Sequence, residues 1–385
     1  MLARQWLPLL GLTVSAFIFN TSEFMPVGLL SDIGGTFALT EAQTGLMVSV
    51  YAWAVMLLSL PLMVAASRIE FKRLLLGVVA LFAAGQVCSA VAPTFALLVL
   101  ARLLVACAHA VFWSVASIMA TRLVSAQHGP LAISMIATGT SVAQIFGLPI
   151  GRAIGLAVGW RMTFALVGVV AVCLVAYQAA VFPAMAAGEA FSLRRVPELL
   201  RNRLLVGIYA VTALYASGYY VGYSYIEPFL ARVGGLEPGL ITAALMVFGV
   251  AGLAASALCT RFYDGHRRSF LLASVTGVAA SLLLLAAAAR AGLPAVAAAF
   301  MAWGVCGTVY GIAFQAEIIR CTRADDSAVA MSIYSGIFNL GIGTGTAIGG
   351  AVVTALGVGA VGYAGGAVAL AGLVACAALV TRRLC

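Results

Sequence analysis

The sequence predicts an all-α polytopic membrane protein, with twelve transmembrane helices in two six-helix halves. Three observations carry that expectation. Charge is scarce: 9% of the 385 residues are charged and 64% hydrophobic, with a mean hydropathy of +1.12, whereas a soluble domain carries about 25% charged residues. The apolar residues come in continuous runs of about 20, the length of one crossing, without the alternation of a barrel strand. The basic residues collect in alternate gaps between runs, as the positive-inside rule requires of a chain that crosses repeatedly.

Proline, glycine and charge divide the chain into runs at 6–30, 43–66, 73–92, 95–120, 131–151, 161–182, 204–228, 239–260, 269–289, 294–316, 328–350 and 361–380. The longest polar stretch separates them six and six. It predicts an N-terminal half at 1–182, a cytoplasmic linker at 183–203 and a C-terminal half at 204–385. The halves echo each other at an offset of about 198 residues: Ala132-Ile133-Ser134 matches Ala330-Met331-Ser332, and Gly147 and Gly151 match Gly345 and Gly349. Internal repeats of this kind are a common plan of secondary transporters.

The net charge of +9 reads as a topology signal, with no nucleic-acid face. Of the 21 basic residues, Arg152, Arg161, Arg232 and Arg290 fall in outward turns and Arg102 inside a run. The rest lie in segments assigned to the cytoplasm, together with both termini. The eight cysteines have no metal-type spacing and imply no disulfide framework. The first run continues past signal-peptide length without a clear cleavage site, so it reads as a retained helix.

Two charged side chains sit at membrane depth. Glu23 lies eight residues before Ser31, about 12 Å below that interface at 1.5 Å per residue. A charge there costs about 2.5–3.5 kcal/mol on insertion scales unless it faces a bundle interior or a cavity. Arg102 lies eight residues past Thr94, at matched depth, which suggests a Glu23–Arg102 ion pair. His109 is two turns below Arg102 on the same helix face, with Trp113 one turn further. Histidine titrates nearest physiological pH, so Glu23, His109 and Arg102 form the candidate proton-coupling set. A structural ion pair and a core histidine are the competing readings.

Asn20, Trp53, Trp113, Gln144, Tyr215, Tyr219, Trp303 and Asn339 fall near the middle of their runs and form a candidate substrate-binding set. Amides hydrogen-bond in both senses, and aromatic faces suit the C–H face of a pyranose or an apolar drug. Packing and interface anchoring compete with that reading. With no second fixed charge beyond Glu23 and Arg102, a small neutral polar substrate is favoured. Gly147, Pro149 and Gly151 in the fifth run allow close helix approach and a bend, which suits helices that rock. The chain has no P-loop motif, its single lysine is Lys72, and His109, His128 and His266 are scattered. We therefore expect no cofactor, no metal and no enzymatic centre, with transport energy taken from an ion gradient or the substrate's own.

At several blocks the chain resembles a known family: 17–33 (FIFNTSEFMPVGLLSDI), 108–114 (AHAVFWS), 136–140 with 147–152, 159–164 (GWRMTF), 223–229 (YSYIEPF) and 335–343 (SGIFNLGIG). Together they resemble the major facilitator superfamily, in its drug:proton antiporter branch, and most closely the bacterial sugar efflux transporters. The resemblance runs over essentially the whole chain. It implies a monomer in the bacterial inner membrane, exporting sugars such as arabinose, lactose or thiogalactoside-like inducers in exchange for protons. It also implies that Glu23 and His109 serve protonation and substrate binding, and that Arg102 is the arginine of the fourth-helix L-x-x-x-R motif. Gly147 to Gly151 resemble a variant of the fifth-helix antiporter motif. The family's loop motif between the second and third helices is degenerate: Arg68 and Lys72 remain, while Met63, Ser67 and Glu70 stand where glycine, aspartate and glycine are usual. The usual Asp-mediated cytoplasmic latch is therefore not expected in that loop, and Asp264, near Arg267 and Arg268, is a candidate substitute in the second half. A broad-specificity drug/proton antiporter is the alternative function. A membrane sensor would call for a signalling domain or long tail, and a membrane enzyme for clustered nucleophiles or metal ligands.

Overall fold

The computed structural model describes residues 3–66, 68–187 and 196–384. Ser67 of the loop motif, and Arg194 and Arg195 of the linker, lie outside the described residues. Twelve helices are long and apolar enough to cross a membrane. Spans 1 to 6 are Gln5–Gly28, Glu41–Ala66, Phe71–Val91, Phe95–Arg122, Leu131–Val158 and Trp160–Val181. Spans 7 to 12 are Arg203–Arg232, Pro238–Phe262, Arg267–Ala291, Leu293–Cys321, Val329–Leu356 and Val358–Arg383. No strand occurs among the described residues. The all-helical twelve-span architecture expected from the sequence is thus observed.

Several helices outrun their apolar runs, because backbone bonding continues where hydropathy falls. Span 5 is the instructive case. The sequence suggests an end near 151, past Pro149, but the helix reaches Val158. Pro149 lacks an N–H, and the helix absorbs this with a π-helical turn at Ala143–Gly147 before continuing at Leu148. Arg152, expected in an outward turn, is instead buried inside the span. Spans 5 and 11 both stop at a glycine in the left-handed region, Gly159 (φ 91°) and Gly357 (φ 82°), 198 residues apart like the repeat.

Spans 1 and 7 are each interrupted near their C-terminal ends. Span 1 stops at Gly28 and, after Leu29, a short helix runs Leu30–Thr36. Span 7 runs Arg203–Tyr223, breaks at Ser224 and Tyr225, and resumes as Ile226–Arg232. Contacts divide the chain into two compact units. One holds Met1–Leu29 with Ala54–Phe191; the other holds Leu30–Trp53 with Ser192–Cys385. The first division falls at the interruption of span 1.

Within the first unit, Gly139, Gly147, Gly151 and Gly155 of span 5 lie against Thr13, Thr21, Met25 and Leu29 of span 1. A β-carbon at any of the four would crowd the facing residue, so the absent side chains set the interhelical approach. Both series ascend together, so the helices run parallel. In the second unit Gly341, Gly345 and Gly349 of span 11 meet Ala216, Ser217 and Val221 of span 7 in the same sense.

Candidate functional site

The site in the first unit starts from a proline. Pro26 lies inside the first helix and cannot donate to the carbonyl four residues earlier, which leaves Ser22 O without its helical partner. Arg102 supplies the missing donor. It is 2% exposed, and its two terminal nitrogens reach Ser22 O and Ser22 Oγ, each at 2.9 Å. Gln86 of span 3 also donates to Ser22 Oγ, and the guanidinium lies 5.7 Å from the Phe164 ring centroid. Spans 1, 3, 4 and 6 therefore meet at Ser22.

This changes the expected pairing. Glu23 makes its ion-pair contact with His109, Oε2 to Nε2 at 3.7 Å, while Arg102 is turned to Ser22. Consecutive residues on a helix point about 100° apart, so Ser22 faces Arg102 and Glu23 turns toward the next pair of groups on span 4. His109 is buried and the Glu23 side chain nearly so, and the charge of Arg102 acts on each through space. Residue counting matched Glu23 with Arg102 in depth and set His109 two turns deeper; direction around the helix instead gives Ser22 to Arg102 and Glu23 to His109.

Aromatic rings wall the pair. Phe19 stacks on Phe82 at 4.1 Å and on Phe112 at 4.4 Å, and its centroid is 6.2 Å from His109. Trp113 lies 6.0 Å from the imidazole on the other side. Asn20, one turn before Glu23, is buried with its Oδ1 unpartnered. A buried amide oxygen without a donor is costly, and a ligand hydroxyl would relieve it.

The second unit holds the other candidates in a different chemistry. Tyr215 stacks on Tyr310 at 3.5 Å, and Tyr219 packs against Tyr215 at 5.9 Å and Trp303 at 5.3 Å. Phe248, Phe300 and Tyr223 close the group. Tyr215 OH and Trp303 Nε1 are buried without hydrogen-bond partners, as is Asn339 Oδ1. Trp53 lies within 3.5 Å of Thr344 Oγ1, to which its indole donates. Gln144 is exposed on the π-helical turn of span 5. The candidates thus resolve into a titratable group (Glu23, His109, Trp113), a neutral aromatic group (Tyr215, Tyr219, Trp303) and dispersed members (Trp53, Gln144, Asn339).

Sequence reasoning missed the groups that hold the arginine-rich end. Arg68 is exposed and Lys72 half-buried. Glu70, standing where the family has glycine, caps span 3 by accepting from the N–H of Lys72 and Arg73 at 3.2 Å. It also accepts from Met185 N–H at 2.8 Å, and Phe71 N–H bonds Met185 O at 3.0 Å, tying the loop to the chain after span 6. The Met185 bond holds the Glu70 carboxyl below its usual range. In the second unit, Glu317 is 1% exposed and binds Arg267 in a fork at 2.8 and 2.5 Å, while Tyr263 donates to it at 2.5 Å. Burial, and then that hydrogen bond, push the Tyr263 phenol above its usual value. Asp264, expected near Arg267 and Arg268, pairs with Arg320 instead. No cluster of metal-type ligands occurs among the described residues.

Comparison with known proteins bears on the family and the fold. The family model "Major Facilitator Superfamily" matches residues 12–266 and 208–384. A curated relative from Mannheimia succiniciproducens, described as a "Probable sugar efflux transporter", is 38% identical over 94% of this chain and 90% of its own length. A crystal structure of a D-xylose-proton symporter superposes with a TM-score of 0.79 at 14% identity, covering 97% of this chain and 98% of the other. A POT family transporter in complex with 5-aminolevulinic acid gives 0.76 at 11% identity, covering 94% of each chain. At those identities the structures establish the fold.

Proposed function

The chain belongs to the Major Facilitator Superfamily, and on that premise we propose that it exports sugars such as arabinose, lactose or thiogalactoside-like inducers across the bacterial inner membrane in exchange for protons. Both termini and the arginine-rich end face the cytoplasm. The two six-helix halves, 1–182 and 204–385, turn against each other about the linker at 183–203 to expose the site alternately. A protein named for sugar efflux, 38% identical over 94% of the chain, supports the substrate class.

The observation that carries the coupling is the buried Glu23–His109 pair at 3.7 Å. With the site facing outward, a proton from the periplasm neutralises Glu23 and loosens its hold on His109. The protein then turns inward, the proton leaves to the cytoplasm, and sugar loads beside the restored pair. Asn20 offers its unpartnered oxygen to a sugar hydroxyl, and Trp113 offers a ring face. Proton and sugar favour different members of the same equilibrium, as coupling requires. Arg102 holds the proline-weakened turn of span 1 so that Glu23 keeps its aim.

The test is uptake of labelled sugars into inside-out vesicles under an imposed pH gradient. Glu23→Gln is expected to abolish the dependence on the gradient while retaining sugar exchange at equal pH. Full proton-driven uptake by that variant would overturn the assignment.

A further inference from the structure

Many glycines in the spans are explained by what they touch. A β-carbon on Gly304 of span 10 would collide with Phe248 O, and one on Gly341 of span 11 with Ala216. Three residues past Gly304 that explanation runs out. A β-carbon on Gly307 would meet nothing closer than 3.4 Å, and one on Gly311 would have no atom within 4 Å. Both lie inside the helix Leu293–Cys321, where glycine costs more backbone entropy than alanine, and here it permits no closer packing. They are one turn apart, on one face, and both are half-buried, so they floor an open recess.

Polar groups line that recess. The point a Gly307 β-carbon would occupy is 3.7 Å from Tyr215 Oη and 3.8 Å from Tyr219 Oη, so two phenols one turn apart on span 7 converge on it. Tyr215 is 1% exposed, and its hydroxyl has no hydrogen-bond partner among the described residues. Its neighbours are satisfied. Tyr310, stacked on it, donates to Thr212 Oγ1 at 2.8 Å, and Tyr334 hydrogen-bonds Gln315, one turn past Gly311. The fold thus partners the surrounding phenols and leaves the Tyr215 hydroxyl beside the gap.

The surroundings select the kind of ligand. Val305 to Ala316 of span 10 and Val211 to Tyr223 of span 7 contain no charged residue. An ion placed there would find no counter-charge on either helix, and a purely apolar ligand would leave the Tyr215 hydroxyl as bare as before. A neutral ring carrying several hydroxyls meets both conditions. It can donate to and accept from the phenols, and its edge can lie against backbone that carries no side chain.

We propose that Gly307 and Gly311 form the floor of a binding site for a neutral sugar ring, with the hydroxyls of Tyr215 and Tyr219 as its wall. The two glycines are then specificity-determining residues, which act through the room they leave. This deepens the reading above and rests on its substrate class, a sugar.

The test is the unfolding temperature of the purified full chain, measured alone and with increasing arabinose, lactose or a thiogalactoside. The value without sugar reads the fold, and its rise with sugar reads the affinity. Gly307→Ala and Gly311→Ala should unfold no lower than the parent, because alanine favours the helix and meets no obstacle there. They should nevertheless need about tenfold more sugar for the same rise, the effect of one extra methyl in a fitted pocket. Tyr215→Phe should likewise keep its stability and need about fivefold more sugar. Gly341→Ala, at a packing contact, should unfold lower. Lowered sugar-free stability in both span 10 variants would make theirs a packing role and overturns the site. An unaltered sugar response in both, with a responsive parent, overturns the site and leaves the transport reading standing. A parent that responds to none of the three sugars overturns both. Slower uptake into inside-out vesicles at an unaltered sugar response assigns the glycines to helix movement, which also overturns the site.

Discussion

The two halves carry different chemistry at equivalent places. Gly151 meets Met25 in one and Gly349 meets Val221 in the other; two residues before those contacts stand Glu23 and Tyr219. Glu23 has His109 at 3.7 Å and a guanidinium one residue away on Ser22. Tyr219 has Tyr215, Tyr223, Phe248 and Trp303. A carboxylate in a membrane interior needs a proton or a cation, whereas a phenol needs only one hydrogen-bond partner. One scaffold position thus becomes titratable in the first half and neutral in the second. The difference teaches that one scaffold position can be filled by an ionisable group or by a neutral ring without changing the glycine contacts that frame it.

Breaking the titratable side should have the largest effect. His109→Phe keeps the ring volume but removes the partner of Glu23, and proton-driven sugar flux in proteoliposomes should fall about 100-fold, the scale of losing a positioned acid–base group. Exchange at equal pH should persist. The corresponding change in the other half, Tyr219→Phe, should leave gradient coupling intact.

The next effect is structural. Arg102→Leu removes the donors to Ser22 and leaves a buried carbonyl bare, at a cost of about 3 kcal/mol. This is read as a lowered unfolding temperature of the purified protein. Arg102→Lys should restore only part of it, since one ammonium does not reproduce the planar fork. No residue of the aromatic cluster should show the same Lys/Leu contrast.

Smaller still is the change at the aromatic site. Tyr219→Phe should weaken apparent sugar affinity about fivefold, the worth of one neutral hydrogen bond of about 1 kcal/mol, measured as KM at fixed gradient. The smallest effect is at Glu70. Its carboxyl is held below the ordinary 4.5, so its stabilising contribution is present at neutral pH and lost as pH falls through the lowered value. The unfolding midpoints of Glu70→Gln and the parent should differ slightly at pH 7 and converge in acid.

Much of the architecture was legible in hydropathy and charge, because burying backbone in lipid leaves so few alternatives. Twelve spans followed from that, while the family was legible in sequence blocks such as 17–33 and 223–229. The site was legible in its members more than in its contacts. Residue counting measures depth but not direction around a helix, so Glu23 was matched to Arg102 when its neighbour Ser22 was the partner. Pro26 held the missing signal, since a proline in a helix interior announces an orphan carbonyl four residues earlier. Glu317 was overlooked for another reason. It sits near the end of its span, where composition alone does not separate a buried acid from a solvated one.

The matched series along spans 1 and 5 has a consequence for how this protein can change over generations. Thr13, Thr21, Met25 and Leu29 face Gly139, Gly147, Gly151 and Gly155 at one constant separation. Substitution at any one of these sites strains one contact. Insertion of a single residue between Thr21 and Met25 turns everything beyond it by about 100°, taking Met25 and Leu29 off their glycines together. Length should therefore be nearly frozen in these two helices while their side chains drift, and indels should accumulate in the turns between spans.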